Sequence, residues 1–467
     1  MQVTVSNTLT IEQPTQQAVD WCKKELTISN PEFTKKLRMG FWVGNTPEKL
    51  TLYEKHGDDL VLPFGMLRSL PANITENAYF ESAFEAPQSV FYGKGEVPLY
   101  DYQKDAVNGV YEAKYGILQS AAGSGKTQMG IALVKKFGER ALWLTHTLDL
   151  LRQSKARAEQ YLDKDLIGTI TEGKVHIGKG ITFATIQTMC KLDLTQYKDI
   201  WDVVIVDECH RVAGTPTAMT QFYKVLNGLA ARHKIGLSAT VHRADGMITA
   251  TYALLGHIVY TVPEEALADK IMKVGICPVE TGTQISMSCL NTDGTLNYTK
   301  LISHLTSDEE RNSLIVSTIE ENEGRSSLIL SDRLEHLTHL MESLSPPMRR
   351  EAAMVSGKMT TKKGKAEREQ AIEDMRTGKK KYLFATYSLA REGLDIPRLE
   401  RLYMATPVKD YTVVTQAIGR IARTFEGKSD PICYDFVDNI TYLIKAYKTR
   451  LRHYKKGGAY ICERLTE

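Results

Sequence analysis

The stretch Ser120-Ala-Ala-Gly-Ser-Gly-Lys-Thr127 constrains this chain more than any other. A short apolar run, Gly116-Ile-Leu-Gln119, leads into it, and Met129-Gly-Ile-Ala-Leu-Val134 follows with helical character. A glycine turn between a strand and a helix, ending in Lys-Thr, is the setting that makes such a pattern a phosphate loop. Glycines let backbone N–H groups close around phosphate oxygens, and the following helix adds its positive end. Gly123, Ser124, Gly125, Lys126 and Thr127 are therefore expected to bind a nucleoside triphosphate, with Lys126 on the β- and γ-phosphates and the Thr127 hydroxyl on Mg²⁺. The strict pattern has Gly where Ser120 stands, and a small residue fits there.

The 467 residues exceed what one hydrophobic core organises, so two or three domains are expected. Net charge is only +3, which confines any nucleic-acid surface to a local patch. No apolar run approaches the roughly 18 residues that span a membrane, and Met1-Gln-Val-Thr-Val5 lacks the basic-then-apolar form of a secretory leader. Seven cysteines, at positions 22, 190, 209, 277, 289, 433 and 462, lie far apart with no Cys-x-x-Cys pair. That spacing argues against structural zinc and for a reduced, cytoplasmic setting.

Residues 1–95 read as a small α+β accessory domain. Val3, Val5, Leu9 and Ile11 suggest an opening strand, and Gln16 to Leu26 a helix. Leu50–Tyr53 and Leu60–Leu62 flank Lys55-His-Gly-Asp-Asp59 as the arms of a β-hairpin. Lys35, Lys36 and Arg38 precede Phe41 and Trp42; cations beside aromatics suit phosphates and base faces, and equally a solvated face beside a small core. Pro87 to Pro98 reads as a linker.

Residues 96–262 alternate strands and helices, as a parallel α/β domain should. Gln103, just before the first helix, carries an amide able to donate to and accept from adenine together. Ala141–Leu144, Ile181–Ile186 and Asp202–Val206 read as strands, the last delivering Asp207-Glu-Cys-His210 at its C-terminal end. Parallel sheets bind ligands at those ends. Asp207 is expected to hold Mg²⁺ there, and Glu208 to polarise the attacking water. Lys234-Ile-Gly-Leu-Ser-Ala-Thr240 ends one further strand in hydroxyls, followed by Arg243 and Asp245-Gly246.

In this order the segments resemble the motifs of superfamily 2 helicases: Gln103 as adenine reader, the phosphate loop as motif I, Thr145–Gln153 as Ia, Asp-Glu-Cys-His as II and Ser-Ala-Thr as III. The Leu-Ser-Ala-Thr-x-x-Arg-x-Asp-Gly form is similar to the XPB-like and phage UvsW-like branch of DNA helicases. Val241 and His146 stand where a Pro is usual, and neither change removes a chemical group the mechanism needs. The resemblance implies an α/β chain of two tandem RecA-like parallel-sheet lobes, residues 96–262 and 263–467, behind the N-terminal domain. In the second lobe, Arg391-Glu-Gly-Leu-Asp-Ile-Pro397 and Gln416-Ala-Ile-Gly-Arg-Ile-Ala-Arg423 resemble motifs V and VI. Gly393 and Asp395 are thereby implied at the nucleotide, and Gln416, Arg420 and Arg423 in catalysis. Arg420 and Arg423, three apart, are expected on one helix face, reaching the γ-phosphate as arginine fingers. Alone they read as arginines on a solvated helix; the order of motifs reverses that. Ser238 and Thr240 are implied to couple hydrolysis to movement, and loops at Thr147, Thr185 and Thr386 to grip phosphates without reading bases.

The activity expected is that of an ATP-dependent DNA helicase or translocase on forked or branched DNA, in replication, recombination or repair. It would act as a monomer in the cytoplasm, a host's if the source is a phage. An RNA helicase is the first alternative, although motif II here ends in His210 and motif VI opens Gln416-Ala-Ile-Gly. A phosphate-loop switch that binds without unwinding is the second. Between Thr281 and Tyr298, a rough alternation around Asn291-Thr-Asp-Gly294 suggests a hairpin. Met287, Leu290 and Tyr298 would part strands there, unless it only closes the sheet edge. The basic tail Lys445–Lys456 either tracks a phosphate backbone or packs back as a solvated helix.

Overall fold

Ala141-Leu-Trp-Leu-Thr145, Ile181-Thr-Phe-Ala-Thr185 and Val203-Val-Ile-Val-Asp207 are buried along their whole length, as parallel strands covered on both faces must be. The computed structural model describes residues 1–76, 78–93, 95–212, 216–239, 247–267, 271–357, 359, 361–391, 394, 396–408 and 410–462. The chain divides into two compact units, Met1–Ala121 with Gly125–Pro263, and Glu264–Glu467 with Ala122–Ser124.

In the first unit, β1 (Gln2–Val5), β2 (Thr8–Glu12), β5 (Glu54–His56), β6 (Asp59–Pro63) and β7 (Tyr79–Ser82) form a sheet in the order β5-β6-β2-β1-β7. The expected opening strand is thus two antiparallel strands. The hairpin turns at Gly57, but its first arm is Glu54–His56. Leu50 belongs instead to β4 (Lys49–Thr51), paired with Ile28 in β3 (Thr27–Ser29), a contact between segments too far apart in sequence for turn signals to reveal. Val3, Leu9, Ile11, Leu60 and Phe64 pack in one cluster with Tyr115, Met247, Ala250 and Ala253, so this sheet shares its core with the layer that follows. Pro87–Pro98 is strapped down rather than loose: Val90 N–H donates to Gly138 O (2.7 Å), and Tyr92 Oη to Glu139 O (2.7 Å) and Gly180 O (2.9 Å).

The larger sheet contains β8 (Gly116–Gln119), β9 (Ala141–Thr145), β10 (Ile167–Thr171), β11 (Lys174–His176), β12 (Ile181–Thr185), β13 (Val203–Asp207), β14 (His233–Ser238) and β15 (Ile258–Thr261). Among the described residues their order is β11-β10-β12-β9-β13-β14-β8-β15, parallel except at β10–β11. The second unit carries β16 (Gly275–Glu280), β17 (Ser327–Ser331), β18 (Ala352–Val355), β19 (Tyr382–Thr386), β20 (Arg401–Met404), β21 (Ile432–Val437) and β22 (Tyr460–Ile461). Their order is β18-β19-β17-β20-β21-β16-β22, with every described pair parallel. The tail is the helix Thr441–Lys456, which buries Leu443, Ala446, Arg450 and Tyr454.

Of the expected hairpin at Thr281–Tyr298 only the turn at Asn291–Gly294 forms, and its arms are not strands. Met287–Cys289 is a single 3₁₀ turn, Leu290 and Leu296 make one isolated bridge around Asn291–Gly294, and Tyr298 opens the helix Tyr298–Ser307. The Asn297 side chain caps that helix by accepting from Lys300 N–H (3.1 Å), and Leu301, Ile302 and Leu305 bury its apolar face. Met287 is exposed on the turn, while the Tyr298 hydroxyl donates to Pro407 O (3.3 Å) and so ties the helix start to the unit. Met287, Leu290 and Tyr298 thus share no projecting tip.

Candidate nucleotide site and nucleic-acid interface

Parallel register brings the ends of three strands to one edge: Ser238 lies opposite Gln119, and Asp207 opposite Leu237. The phosphate loop leaves β8 at this edge, where open parallel sheets bind ligands. Gly123 (φ +85°) and Gly125 (φ +81°) are left-handed, and Gly125 caps the helix Lys126–Phe137. The left-handed conformation of Gly125 calls for glycine, and a Cβ there would also press on the Gln103 side-chain amide and displace it. Gln103 is the third residue of the helix Asp101–Ala113 rather than just before it, and its Oε1 accepts from Tyr100 N–H (2.9 Å). That bond fixes the amide beside the loop. Lys126 is buried, its Nζ donating to Ser120 O and Ala121 O at 3.2 Å each. Thr127 stands partly exposed one residue on.

Asp207 is buried at the end of β13. Its carboxylate accepts from Glu208 N–H (3.0 Å) and from Ser154 Oγ (3.2 Å), on the helix Leu148–Ala158. Burial, and then the neighbouring Glu208 charge, push its pKa up to about 6 against the pull of Lys126. Glu208 itself sits at φ +49°, a strained conformation for a residue with a side chain. His210 Nδ1 lies 3.2 Å from Glu208 Oε2 and 3.1 Å from Ser238 Oγ, and so stands between the two. Sequence reasoning used His210 only to tell helicase classes apart and passed over Ser154. Nothing in the spacing of positions 154 and 207 announces their contact.

Mg²⁺ takes one or two carboxylates and completes its shell with waters and substrate phosphates. A desolvated carboxylate at Asp207, beside a second acid and near Lys126, is a donor set of that kind. Among the described residues no group of three His, Cys, Asp or Glu converges to hold a metal alone.

The expected grip residues are placed unequally. Thr147 caps the helix Leu148–Ala158, accepting from Leu150 N–H (3.3 Å), and Thr185 is buried with its hydroxyl 2.9 Å from Thr188 Oγ1. Both sit at strand ends, β12's in the case of Thr185, but their hydroxyls already serve the fold. In the second unit Thr386, its Oγ1 3.0 Å from Ser388 Oγ, lines a cavity of about 900 Å³. Its walls are the ends of β17, β18 and β19 and the hydroxyl-bearing helix Tyr298–Ser307.

Gln416 and Arg420 lie on the helix Tyr411–Ile421, with Arg420 Nη1 donating to Leu394 O (3.2 Å). Arg423 does not share their helix. The helix stops at its cap, Ala422, and Arg423 forms an antiparallel bridge with Ile271, which corrects the expectation of one common face. Thr240, Arg243, Asp245, Gly393 and Asp395 lie outside the described residues. The helix Pro31–Arg38 buries no residue; Leu37 within it and Met39, Phe41 and Trp42 after it are exposed.

Two family descriptions fit this arrangement: "Type III restriction enzyme, res subunit" matches residues 96–243, and "Helicase conserved C-terminal domain" matches residues 310–425. Between them they span more than half of the chain and take in β8 to β14 of the first unit and β17 to β20 of the second. This chain belongs to the superfamily 2 helicases. The helicase is 27% identical over 345 residues to "Probable helicase D10" of Escherichia phage T5, covering 73% of this chain and 72% of that one. It is 27% identical over 357 residues to "Putative ATP-dependent RNA helicase L396" of Acanthamoeba polyphaga mimivirus, covering 75% and 65%. Over a shorter 181 residues, 38% of each chain, it is 33% identical to "DNA 3'-5' translocase XPB2" of Sulfurisphaera tokodaii. Among solved structures, S. cerevisiae Dbp5 bound to RNA and ADP BeF3 covers 78% of this chain and 93% of its own, with 17% identity and a TM-score of 0.55. That likeness identifies the helicase fold of two RecA-like lobes, and no more. Among the described residues, no helix is long and apolar enough to cross a membrane.

Proposed function

We propose that this helicase uses ATP hydrolysis, with Mg²⁺, to move along DNA, and that forked or branched duplexes are its substrates. The observation that carries the motor reading is His210 standing between Glu208 and Ser238. Glu208, the residue assigned the proton of the attacking water, and the end of β14, where motif III begins, both approach one ring nitrogen, His210 Nδ1. A change at the phosphate edge therefore has a short route to a structural element, which a motor needs and a nucleotide switch would share, so strand displacement is what separates the two.

Lys126 holds the β- and γ-phosphates as a point charge, and Gln103 reads the base. Asp207 and Thr127 are the residues that would hold Mg²⁺, which supplies charge neutralisation between the phosphates. Glu208 takes the water's proton, and Arg420, with Arg423 and Gln416, stabilises the charge that develops on the γ-phosphate. Thr147, Thr185 and Thr386 mark the loops that hold the nucleic-acid backbone, by main-chain N–H groups where the hydroxyls are already used. Similarity to a protein named as a DNA translocase supports DNA, and similarity to one named as an RNA helicase makes RNA the competing substrate.

The test is ATP turnover and strand displacement with single-stranded DNA, a forked duplex and an RNA duplex, side by side. Fork DNA should stimulate turnover and be unwound, and Glu208→Gln should bind ATP yet lose both. Stimulation and displacement by RNA alone would replace DNA with RNA. Tight binding of the fork without displacement by the wild-type chain would reduce the protein to a switch.

A further inference from the structure

The C-terminal helix Thr441–Lys456 has two unlike faces. Leu443, Ala446, Arg450 and Tyr454 face the second unit's core. At about 100° per residue, Lys445, Lys448, Arg452 and Lys455 fall on the opposite side within a stripe about 80° wide, bordered by Lys456. The stripe runs for about 15 Å along the axis at 1.5 Å per residue. All five side chains are exposed, and the helix contains no Asp or Glu. Among the described residues Lys445, Lys448, Arg452 and Lys455 form no ion pair. Carboxylates from packed elements act instead on the stripe's neighbours: Asp435 and Glu280 on Tyr447, and Asp410 on His453.

Cations spaced three and four apart repel one another, at a few tenths of a kcal/mol per pair. Favourable interaction with the helix dipole explains Lys455 and Lys456 in the last turn, but it works against Lys445 near the start. The fold therefore keeps a self-repelling row that its own stability does not call for. A polyanion with regularly spaced charges removes the repulsion. Single strands are gripped by stacking as well as by charge, and here the tyrosines between the cations are turned away, Tyr454 into the core and Tyr447 partly buried. A stripe of charge without stacking matches the phosphates of a duplex.

We propose that Lys445, Lys448, Arg452 and Lys455 form a track for duplex-DNA phosphates, separate from the ATP-coupled grips at Thr147, Thr185 and Thr386. The track holds the paired part of a fork independently of sequence and of nucleotide. This rests on the DNA reading above, and deepens it by naming duplex as the form held here.

The experiment compares the full chain with the variant Lys445→Gln/Lys448→Gln/Arg452→Gln/Lys455→Gln, using a blunt 30-base-pair duplex of mixed sequence and fluorescence anisotropy at several salt concentrations. Each lost phosphate contact should lower the slope of log K against log salt by about 0.9, so the variant's slope should fall by about 3 to 4. Affinity near physiological salt should drop on the order of a hundredfold or more. ATP turnover without DNA should be unchanged, and turnover at saturating fork DNA restored. Because the substitutions relieve repulsion on an exposed face, thermal unfolding should not move downward. An unchanged salt slope, with wild-type chain still stimulated by forks, overturns the track and leaves the helicase reading standing. Wild-type chain that neither binds duplex nor responds to any nucleic acid overturns both. Loss of binding to vesicles of phosphatidylserine and phosphatidylcholine, with duplex binding intact, assigns the stripe to a lipid surface and overturns the proposal.

Discussion

Arg450 and Asp435 form a buried ion pair in the second unit, with side chains 2% and 1% exposed. Arg450 Nε donates to Asp435 Oδ2 and Nη2 to Oδ1, both at 2.8 Å, and Nη1 reaches Val408 O at 2.9 Å. Tyr454 Oη adds a bond to Asp435 Oδ2 at 2.6 Å. The pair fixes the C-terminal helix to β21, and through Val408 it steadies the segment before the helix that carries Gln416 and Arg420. Arg450→Met keeps the packing volume but leaves Asp435 buried with the tyrosine as its remaining side-chain partner. Removing one member of such a pair costs about 3–5 kcal/mol, because the other charge stays desolvated. With a urea m-value of about 2–3 kcal/mol/M for a unit of this size, the midpoint should fall by about 1–2.5 M. The four tryptophans, at positions 21, 42, 143 and 201, all lie in the first unit, so their fluorescence reports that unit while circular dichroism reports both. The dichroism transition should move and the tryptophan transition should not. Arg450→Met/Asp435→Asn should recover most of the loss, since the stranded charge is gone. A single variant within about 0.3 M of wild type, or a double variant no better than the single, would refute the desolvation argument.

Gly125→Ala places a side chain at φ +81° and against Gln103 Nε2; strain of about 1–2 kcal/mol and displacement of the amide should weaken ATP binding about tenfold or more, measured by nucleotide titration. Arg420→Ala should lower kcat by about a hundredfold or more with KM for ATP changing far less, and a pure KM effect would make it a binding residue. Lys234 is buried, its Nζ held by Asn7 O (3.0 Å) and Leu226 O (2.6 Å), and burial lowers its pKa from 10.5 to about 7. The unfolded chain therefore binds more protons between about pH 7 and pH 10, so stability should rise with pH across that window and level off below it. Lys234→Met should flatten the rise when tryptophan-monitored unfolding is followed from pH 7 to 9.5. Met287→Ser should change the ratio of base pairs opened to ATP consumed by less than about twofold, as an exposed side chain on a short turn would; a large loss of unwinding at unchanged hydrolysis would return a strand-separating role to this segment.

The two parallel sheets were readable because fully buried strands are runs of Val, Ile and Leu, and their motif residues follow directly at the C-terminal ends. Asp207 and Ser238 are where those runs stop. The segment 281–298 was misread because its polar alternation imitates a strand, while the signals that decide it lie just beyond. Asn297 as a cap and Leu301, Ile302 and Leu305 at helical spacing recruit Tyr298 into a helix. Arg423 was placed on a helix because the apolar period runs through Ala422, and only pairing with Ile271, about 150 residues away in the chain, ends it. Ser154 on Asp207 and Leu50 on Ile28 are likewise long-range contacts with no local signature.

The left-handed backbone at Glu208 also sets a trap for anyone improving this protein by selection. Glycine at that position would relieve strain of about 1–2 kcal/mol, and asparagine would relieve part of it. Neither carries the carboxylate proposed above to take the water's proton. A library sorted only for survival after heating should thus enrich variants at 208 that are sturdier and inert, and the winning sequences would mark the position as replaceable. Sorting for turnover would restore glutamate. The two screens would disagree at this residue, and the size of that disagreement would measure how much stability the helicase forgoes to keep its motor chemistry.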